Sequence, residues 1–458
     1  MIPLTLAEIT TAVQGQLLPG EHAALQVRHV STDSREIEAG SLFIALKGET
    51  FDGHDYAQTA VAKGATALLV NCRLPLALPQ ILVTDTHKAL GQLAALVRQR
   101  VNPRCVALTG SNGKTSVKEM VATILSQQAA VLYTAGNFNN DIGVPLTALR
   151  LEPHHQFAVF ELGANHPGEI DYTSAIVQPD VALVNNVGSA HLAGFGSEAG
   201  VAAAKSEIFN HLKPQGIAVI NGDDAYANVM RQAASAHRQL AFAIEGEAPL
   251  KAMNLHHDGS GHYGFELHWQ AEVQPVMLPL AGRHQVYNAL AATAVCLGLG
   301  LALADIARAL ATMEPVKGRM QPTPLGRFTL VDDSYNANPN SVKAAINWLK
   351  EIDGNRVLVL GDLGELGDNA ALLHQQLGHC AREAGIDALF CCGELSQHTS
   401  RAFATEHYQE ISPLVDALIA HLNRLSGKVT VLVKGSRSAR MERVAQALVV
   451  AFGRGELV

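Results

Sequence analysis

The residues best suited to chemistry lie in Thr109-Gly-Ser-Asn-Gly-Lys-Thr115, which follows the apolar run 106–108. The apolar residues after this segment share the spacing of one helical face: Val117, Met120, Val121, Ile124 and Leu125. The pattern predicts a buried strand, a turn, and a helix that begins at Lys114. Such a turn directs free backbone N–H groups and the positive end of the helix dipole at one point. Lys114 adds a full charge and Thr115 offers a hydroxyl to Mg²⁺, so the segment predicts a loop that binds the phosphates of a nucleoside triphosphate.

This loop is shorter than the common phosphate loop. The pattern G-x-x-x-x-G-K-[ST] would place a glycine at position 108, which is Leu108. In a simpler interpretation, the glycines only shape a strand-to-helix turn. The coincidence of Gly, Lys and Thr with that strand and helix favours nucleotide binding instead. The candidate nucleotide ligands in the loop are Gly110, Ser111, Asn112, Gly113, Lys114, Thr115 and Ser116.

Polar residues end several apolar strands in the middle of the chain. Glu161 follows Phe157-Ala-Val-Phe160, and Asn185 and Asn221 end similar runs. Continuous apolar strands that alternate with helices indicate a parallel sheet, in which ligands bind at the carboxyl ends of the strands. If its strand adjoins the loop, Glu161 lies near Thr115, and this oxygen pair suits Mg²⁺. The alternative is a solvated glutamate at a strand end.

Three further residues allow both a functional and an ordinary interpretation. His191 lies in a Gly-rich loop after a strand, where it would either ligate a metal or cap the loop. Lys205 lies in a helical stretch and is either a solvated lysine or a functional one, but an ammonium cannot ligate a cation unless it is modified. Asn288 is either the N-cap of an Ala-rich helix or a hydrogen-bonding partner of an adenine edge.

Two loops near the end of the chain are rich in polar groups. Asp332-Asp-Ser-Tyr-Asn-Ala-Asn-Pro339 follows an apolar strand, where a dense polar loop predicts a site, although turn formation alone would explain it. Lys434-Gly-Ser-Arg437 also follows a strand and supplies two cations with free N–H groups. That combination suits an anionic substrate such as a carboxylate.

The elements that position these residues predict an α/β protein. At about 150 residues per domain, a chain of 458 residues contains about three domains. Residues 1–84 predict a small α/β domain. Residues 85–314 predict a mostly parallel sheet of the P-loop type, covered by helices, with 243–280 as an antiparallel insertion. Residues 315–458, after a Pro/Gly-containing linker at 313–322, predict a doubly wound, Rossmann-like domain.

Composition excludes several classes of function. The chain is 48% hydrophobic and 17% charged with a net charge of −8, which is typical of a globular protein and argues against nucleic-acid binding. The six cysteines form no C-x-x-C pair, so we expect no zinc site and a cytoplasmic location. Neither a signal peptide nor membrane insertion is expected. The most apolar stretch, 289–304, is shorter than the ~20 residues of a membrane span, and it predicts two core helices that meet near Gly298–Gly300.

Together these motifs resemble the Mur ligase family of ATP-dependent amide-forming enzymes, over residues 28–445. The tight loop 109–115 is similar to the nucleotide motif of that family. The motifs at 333–339, 361–367 and 434–442 resemble the member that adds D-alanyl-D-alanine to UDP-N-acetylmuramoyl tripeptide. The Asp-Asn-Pro-Arg signature of a diaminopimelate-adding relative is absent. The resemblance implies a bacterial, cytoplasmic enzyme of peptidoglycan precursor synthesis, which we expect to be a monomer.

The resemblance also implies roles for particular residues. Lys114, Lys205 and His191 would be catalytic. Thr115 and Glu161 would hold one Mg²⁺, and His191 would help to hold a second with Lys205 as a CO₂-derived carbamate. The remaining nucleotide ligands would be Asn288, facing the adenine, and Arg319, Asp333 and Asn336, reaching ATP from the third domain.

Three groups of substrate ligands are implied in the same way. The UDP-sugar candidates in the first domain are Ser31, Asp33, Ser34, Arg35, Lys47, Asp52 and His54. Those facing the muramoyl part are Asn139 and Asn140, and those for the incoming dipeptide are Lys434, Ser436 and Arg437. His374 and Asp362 are candidates for the base that deprotonates the amine. We expect closure of the third domain about the linker to keep water out.

Other functions stay open at this point. Within ligases, these are another step of the same family or a folylpolyglutamate-type enzyme. A P-loop kinase or NTPase would need the longer loop with glycine at position 108, and it leaves the loops at 332–339 and 434–437 unexplained. A non-catalytic nucleotide-binding module is the remaining alternative.

Overall fold

The computed structural model of this chain describes residues 1–48, 50–189 and 192–453. Within these residues, three large sheets fall one in each of the ranges 1–84, 85–314 and 315–458. The α/β fold class predicted from the sequence is confirmed.

The first sheet has the strand order β2-β7-β6-β5-β4, in which β2 is antiparallel to β7 and the other neighbours are parallel. The small pair β1 and β3 lies beside it. The elements are β1 (Leu4–Thr5), α1 (Leu6–Ala12), β2 (Gln16–Leu18), β3 (Gln26–Val27), β4 (His29–Ser31), β5 (Ser41–Ile44), α2 (Ala57–Ala62), β6 (Ala67–Val70) and β7 (Gln80–Leu82). A capping box between Thr5 and Glu8 begins α1 by satisfying N–H groups that the helix leaves free.

The central region alternates strands and helices as the sequence predicts. Its elements before the long hairpins are α3 (Thr86–Val101), β8 (Arg104–Thr109), α4 (Lys114–Ser126), β9 (Val131–Tyr133), α5 (Gly143–Ala148), β10 (Phe157–Glu161), α6 (Glu169–Val177), β11 (Val181–Val184), α7 (Leu192–Phe195), α8 (Glu198–Ser206), β12 (Ile217–Asn221), α9 (Ala227–Ala233) and β13 (Arg238–Ala243). After them come β14 (Leu250–His257), β15 (His262–Trp269), β16 (Glu272–Ala281), α10 (Arg283–Gly298) and α11 (Leu303–Leu310).

The order of the central sheet is β16-β15-β14-β13-β12-β11-β8-β10-β9. From β9 to β14 all neighbours are parallel, while β14, β15 and β16 pair antiparallel. The stretch 243–280 is therefore antiparallel as expected, but it extends this sheet at one edge. Because β8 lies between β10 and β11, the phosphate-loop segment leaves the sheet between Glu161 and Asn185. The residues of β8 from 105 to 109 are fully buried, which explains their continuous apolar pattern.

The third sheet has the order β17-β18-β22-β19-β20-β21, with only β17 antiparallel to its neighbour among the described strands. Its elements are β17 (Gln321–Leu325), β18 (Phe328–Asp333), α12 (Pro339–Lys350), β19 (Asn355–Gly361), α13 (Ala370–Glu383), β20 (Ala388–Cys392), α14 (Gln397–Phe403), β21 (His407–Tyr408), α15 (Ile411–Arg424), β22 (Val429–Lys434) and α16 (Glu442–Phe452). The pairing of β18 with β22 sets Asp333 beside Lys434. The two polar loops predicted from the sequence therefore leave the sheet side by side.

Helix positions confirm several expectations and correct one interpretation. Helix α4 begins at Lys114, and α10 and α11 meet between Gly298 and Leu303. Asn288 is not an N-cap, because α10 begins five residues earlier at Arg283, after Gly282. Of the helices in the described ranges, none combines the length and the apolar character that a membrane crossing requires.

Candidate active site

The phosphate loop is shaped by a glycine that no other residue replaces without strain. Gly113 precedes α4 with a left-handed φ of 77°. A Cβ at this position would collide with the side-chain amides of Asn288 and Asn185. Gly113 is therefore needed both for its backbone conformation and for the close approach of the neighbouring amides.

Asparagines at the end of β11 hold the loop in place. Asn186 Oδ1 accepts from Asn112 N at 2.8 Å, and the Asn185 and Asn186 amides donate to Asn112 O at 2.9 and 3.0 Å. Asn185 Nδ2 also donates to Asn288 Oδ1 at 3.1 Å. The sequence marked Asn185 as a strand end but gave Asn186 no role. Its position just beyond a strand that adjoins β8 was the available signal.

The oxygen pair predicted for magnesium is formed. Glu161 Oε2 accepts from Thr115 Oγ1 at 2.9 Å, and its Oε1 accepts from Asn139 Nδ2 at 2.8 Å. Glu161 is 2% exposed, so the interpretation as a solvated glutamate is wrong. A buried carboxylate and a hydroxyl at a phosphate loop form the hard oxygen donor set that Mg²⁺ prefers, so these residues fit the ion.

Two lysines that the sequence singled out have lowered pKa values. Lys114 Nζ donates to Gly110 O at 2.7 Å, and burial together with the charge of Arg319 lowers its pKa. Lys205 in α8 is 1% exposed, so its interpretation as a solvated lysine is wrong. No residue of the described ranges accepts a hydrogen bond from its ammonium. Burial, and then the charge of Lys114, lower the pKa of Lys205 well below its ordinary value. His191 lies outside the described residues.

The third domain reaches the phosphate loop directly. Arg319 Nη2 donates to Thr115 Oγ1 at 2.9 Å, and Asn338 Nδ2 donates to Asn112 Oδ1 at 2.8 Å. The Arg319 guanidinium lies 4.4 Å from the centre of the Tyr335 ring. The sequence did not single out Tyr335 and included Asn338 only as part of its loop.

The three dipeptide candidates differ in their surroundings. Lys434 is 3% exposed, and its ammonium donates to Asp333 Oδ2 at 2.6 Å and to Asn336 O at 3.2 Å. The Ser436 hydroxyl donates to Asp362 O at 2.6 Å. The Arg437 side chain is 68% exposed and lies 5.9 Å from the Tyr335 ring. Of the three, Arg437 therefore has the charge most available to a ligand.

These groups surround one cavity of about 740 Å³ between the central and third domains. Of the predicted residues, its lining contains Ser111, Asn112, Gly113, Lys114, Thr115, Ser116, Asn139, Asn140, Glu161, Asn288, Arg319, Asp333, Asn336, Lys434 and Arg437. Gly110, Lys205 and Ser436 are not in the described lining, although the Gly110 carbonyl accepts a hydrogen bond from Lys114, which lines the cavity.

The cavity also has a wall that the sequence did not indicate. Asp223 and Tyr287 line it, and the Tyr287 hydroxyl donates to Asp223 Oδ2 at 3.1 Å. His284 lines it as well, and burial lowers the pKa of this imidazole to about 4. These residues come from the end of β12 and the first turns of α10. The polar strand end at Asn221 was the nearest sequence signal.

The candidates of the first domain lie apart from this cavity. Arg35 and Asp33 form a two-pronged ion pair, and its hydrogen bonds lower the pKa of Asp33 to about 2. His54 Nδ1 contacts Asp52 Oδ1 at 2.6 Å, and Lys47 Nζ lies 3.8 Å from Asp52 Oδ2. Ser31 and Ser34 lie within the same stretch as the Asp33–Arg35 pair, where the Ser31 hydroxyl donates to Asp33 O at 2.9 Å. The structure thus gathers charged groups in the first domain but does not bring them to the phosphate loop.

The two candidate bases have structural contacts instead. His374 is fully buried, where its Nε2 accepts from Leu363 N at 3.1 Å and its Nδ1 donates to Ala370 O at 2.7 Å. Asp362 accepts from three successive backbone N–H groups at 394–396. Neither residue is among the described lining of the cavity, so neither is placed to take a proton from a substrate there.

Comparisons with known proteins indicate one family along most of the chain. Models of the Mur ligase family match residues 26–98 (catalytic domain), 108–296 (middle domain) and 318–437 (glutamate ligase domain). The chain is 47% identical to the UDP-N-acetylmuramoyl-tripeptide–D-alanyl-D-alanine ligase of Escherichia coli, covering 98% of this chain and 99% of that one. The crystal structure of MurF from Acinetobacter baumannii is similar with a TM-score of 0.94 and 39% identity, over 98% and 99% of the two chains.

One similar structure contains a nucleotide. The MurF ligase of Thermotoga maritima in complex with ADP is 28% identical, with a TM-score of 0.85 over 93% of this chain and 98% of that one.

Proposed function

The chain belongs to the Mur ligase family, and we propose that it joins D-alanyl-D-alanine to UDP-N-acetylmuramoyl tripeptide while ATP is converted to ADP and phosphate. The observation that carries this proposal is the cavity in which the phosphate loop and Glu161 meet cations of the third domain. The phosphate loop and Glu161 suit activation of a carboxylate by ATP. The cations of the third domain suit the carboxylate of an incoming amine.

ATP is bound through the phosphate loop in this proposal. The backbone N–H groups of Gly110 and of residues 113–116 face the phosphates, whereas those of Ser111 and Asn112 donate to Asn186 and hold the loop in place. Lys114 and Arg319 supply positive charge at the loop. Thr115 and Glu161 hold Mg²⁺, which supplies neutralising charge to the transferred phosphoryl group when it is bound. Asn288 lines the cavity beyond the loop and faces the adenine, while Asp333 and Asn336 approach the nucleotide from the third domain.

The first step forms an acyl phosphate. A carboxylate oxygen of the tripeptide attacks the γ-phosphorus, and the bond from this phosphorus to the β,γ-bridging oxygen breaks to release ADP. Lys114 and Arg319 stabilise the negative charge that spreads over the phosphoryl oxygens. Arg319 is already held at the loop by Thr115 and by the Tyr335 ring, so little reorganisation is needed.

The second step forms the amide. The amine of D-alanyl-D-alanine, having lost a proton, attacks the acyl carbon, and inorganic phosphate leaves with the former carboxylate oxygen. Arg437 binds the dipeptide carboxylate and so directs the amine into the cavity. The contacts of Arg319 and Asn338 with the phosphate loop close the third domain over the central one and limit access of water to the acyl phosphate.

Lys205 is a carbamate in this proposal. Its side chain is buried, and no described residue accepts a hydrogen bond from it. Burial lowers its pKa and so favours the neutral amine, which is the form that reacts with CO₂. The reaction forms an N–C bond and releases one proton. The resulting carbamate supplies oxygen ligands for a second Mg²⁺, with His191 as a further ligand.

The other assignments concern the rest of the substrate. The charged groups of the first domain, from Ser31 to His54, bind the UDP part, and Asn139 and Asn140 face the muramoyl part. The ranges 1–84, 85–314 and 315–458 then bind the UDP sugar, ATP and the dipeptide. We also infer that the enzyme works as a monomer and in the cytoplasm, where ATP and UDP-linked precursors occur.

The test is release of ADP by the purified chain with UDP-N-acetylmuramoyl tripeptide and Mg-ATP, with and without D-alanyl-D-alanine. We expect sustained ADP release only when both acceptor and dipeptide are present, together with the pentapeptide product by mass spectrometry. A panel that replaces the dipeptide by single amino acids or the acceptor by a folate separates the other ligase reactions. Equal or faster turnover with any of these pairs would refute the proposal.

A further inference from the structure

An unusual rung ends the pairing of β9 with β10. Thr134 follows β9, and its N–H donates to Val159 O at 3.0 Å, as a parallel ladder requires. The next rung of such a ladder would join Glu161 N to the Thr134 carbonyl. Instead, Glu161 N donates to the Thr134 hydroxyl at 3.0 Å. A fully buried threonine side chain therefore replaces the backbone acceptor at the residue that carries the proposed magnesium carboxylate.

A buried lysine donates a hydrogen bond to the Thr134 carbonyl, which Glu161 N–H leaves free. Lys118 is 1% exposed, and its Nζ donates to Thr134 O at 2.7 Å. The same ammonium lies 2.8 Å from Glu119 Oε1 and 5.5 Å from the Tyr133 ring centre. Taking an ammonium out of water is costly unless it is well paired. An apolar side chain would fill this place on the buried face of α4 without that cost, so the lysine needs an explanation beyond packing.

The position of Lys118 supplies one. It lies one turn after Thr115 on α4, so the chain of contacts Lys118–Thr134–Glu161 joins the two magnesium ligands through a route separate from their own hydrogen bond. Asn139, at the far end of the segment that begins with Thr134, holds Glu161 Oε1. Helix α4 thus carries one ligand and fixes the backbone of the other.

We propose that Lys118 and Thr134 are positioning residues, which set the separation between Thr115 Oγ1 and the Glu161 carboxylate for magnesium and do not themselves touch substrate. This inference rests on the proposed role of Glu161 as a magnesium ligand. Loss of either contact lets β10 return to the ordinary ladder and moves Glu161 relative to α4.

The test compares three threonine variants by binding instead of by turnover. ADP affinity is measured by titration calorimetry with Mg²⁺ and again with EDTA, for Thr134→Val, Thr134→Ser and Thr293→Val. Valine has nearly the shape of threonine but cannot accept the Glu161 N–H, whereas serine can. Thr293 is an equally buried threonine of α10 whose hydroxyl donates to Ala289 O, so it controls for loss of a buried hydroxyl.

We expect Thr134→Val to weaken magnesium-dependent ADP binding about 10- to 100-fold, as is usual when groups that orient metal ligands are removed. Binding in EDTA stays at the wild-type value, Thr134→Ser restores most of the loss, and Thr293→Val behaves as wild type. Lys118→Met is expected to repeat the Thr134→Val result. If Lys118→Met does not fold, the comparison of Thr134→Val with Thr293→Val is sufficient for the test.

Glu161→Gln separates this inference from the proposed function. If Glu161→Gln leaves magnesium-dependent binding unchanged, the metal role of Glu161 fails and the inference fails with it. If Glu161→Gln weakens binding but Thr134→Val equals Thr293→Val, only the positioning role is refuted. A Thr134→Val variant that loses affinity equally with Mg²⁺ and with EDTA would likewise refute it, because the effect would then be general.

Discussion

Replacement of Arg437 by methionine is expected to remove recognition of the dipeptide carboxylate without unfolding the third domain. Arg437 is the exposed cation of its loop and lines the cavity. Its ion pair with Glu442 has an N–O distance of 3.5 Å and is largely exposed on the arginine side, so the pair contributes little to stability. Methionine keeps the unbranched stem of the side chain and removes its charge.

The magnitude follows from the chemistry of the contact. A hydrogen bond to a charged group contributes about 1.5–3 kcal/mol, and solvent around a 68% exposed side chain favours the lower end. At 1.4 kcal/mol per factor of ten, about 1.5–2 kcal/mol corresponds to a fall of roughly 10- to 30-fold in kcat/KM for D-alanyl-D-alanine. The KM for ATP should stay close to the wild-type value.

The assay is steady-state ADP release with D-alanyl-D-alanine and with its C-terminal amide, which lacks the carboxylate charge. The wild-type enzyme should prefer the free dipeptide by about the same 10- to 30-fold, and Arg437→Met should show no preference. If Arg437→Met still discriminates between the two amines by the wild-type factor, the carboxylate is bound elsewhere and the assignment is wrong.

Lys434→Met is the matched control in the same loop. Its ammonium is 3% exposed and paired with Asp333, and loss of one partner of a buried ion pair costs about 3–5 kcal/mol. We therefore expect a lower Tm for Lys434→Met and an unchanged Tm for Arg437→Met. Equal Tm values for both variants and the wild type would contradict the distinction between a buried structural cation and an exposed binding cation.

Three other predictions follow from the remaining charged groups. Lys114→Ala should abolish amide formation while circular dichroism stays unchanged; turnover near the wild-type rate would reject the phosphate assignment. Lys205→Ala should be inactive and partly restored by added short carboxylic acids, and full activity without them would remove the carbamate. Asp141, with an oxygen 2.8 Å from His87 Nε2, raises the pKa of His87 above its ordinary 6.5. Because the protonated form is favoured in the folded chain, its stabilisation is complete below pH 6.5 and is lost as the pH rises through the raised pKa. His87→Gln should therefore reduce the fall in Tm above pH 6.5, and an identical pH profile would show that the pair is not stabilising.

The phosphate loop could be predicted because its signal is local. Strand, turn and helix are adjacent in the sequence, and their residue types report on backbone conformation and charge within about ten positions. The polar ends of the strands were equally visible. Parallel strands place their carboxyl ends at one edge, so Glu161 could be assigned to that edge, and its place beside Thr115 depended on β10 adjoining β8.

The residues that the sequence missed depend on partners far along the chain. Lys118 carries a signal, since it lies on the same helical face as the apolar Val121 and Leu125. That signal does not identify the Thr134 carbonyl as its acceptor. Likewise, Asn186 and Asn338 meet Asn112 only because β11 adjoins β8 and the third domain docks on the loop.

Asn288 and Lys434 are residues that the sequence identified but whose surroundings it did not reveal. The Ala-rich pattern did not reveal that α10 begins at Arg283, so a buried helix residue resembled an N-cap. The loop at 434–437 offered two cations of equal standing. Only the pairing of β18 with β22 puts Asp333 against Lys434 and leaves Arg437 exposed.

The sequence by itself determined the α/β fold class, the place of the phosphate loop and the residue types that gather at the strand ends. Tertiary structure alone decided which of these groups are paired, which are exposed, and how the third domain contacts the phosphate loop. The physical reason is range: backbone conformation and periodic burial are encoded over a few residues. Hydrogen bonds such as Arg319–Thr115, which spans 204 positions, exist only once strand order and domain docking have brought their atoms together.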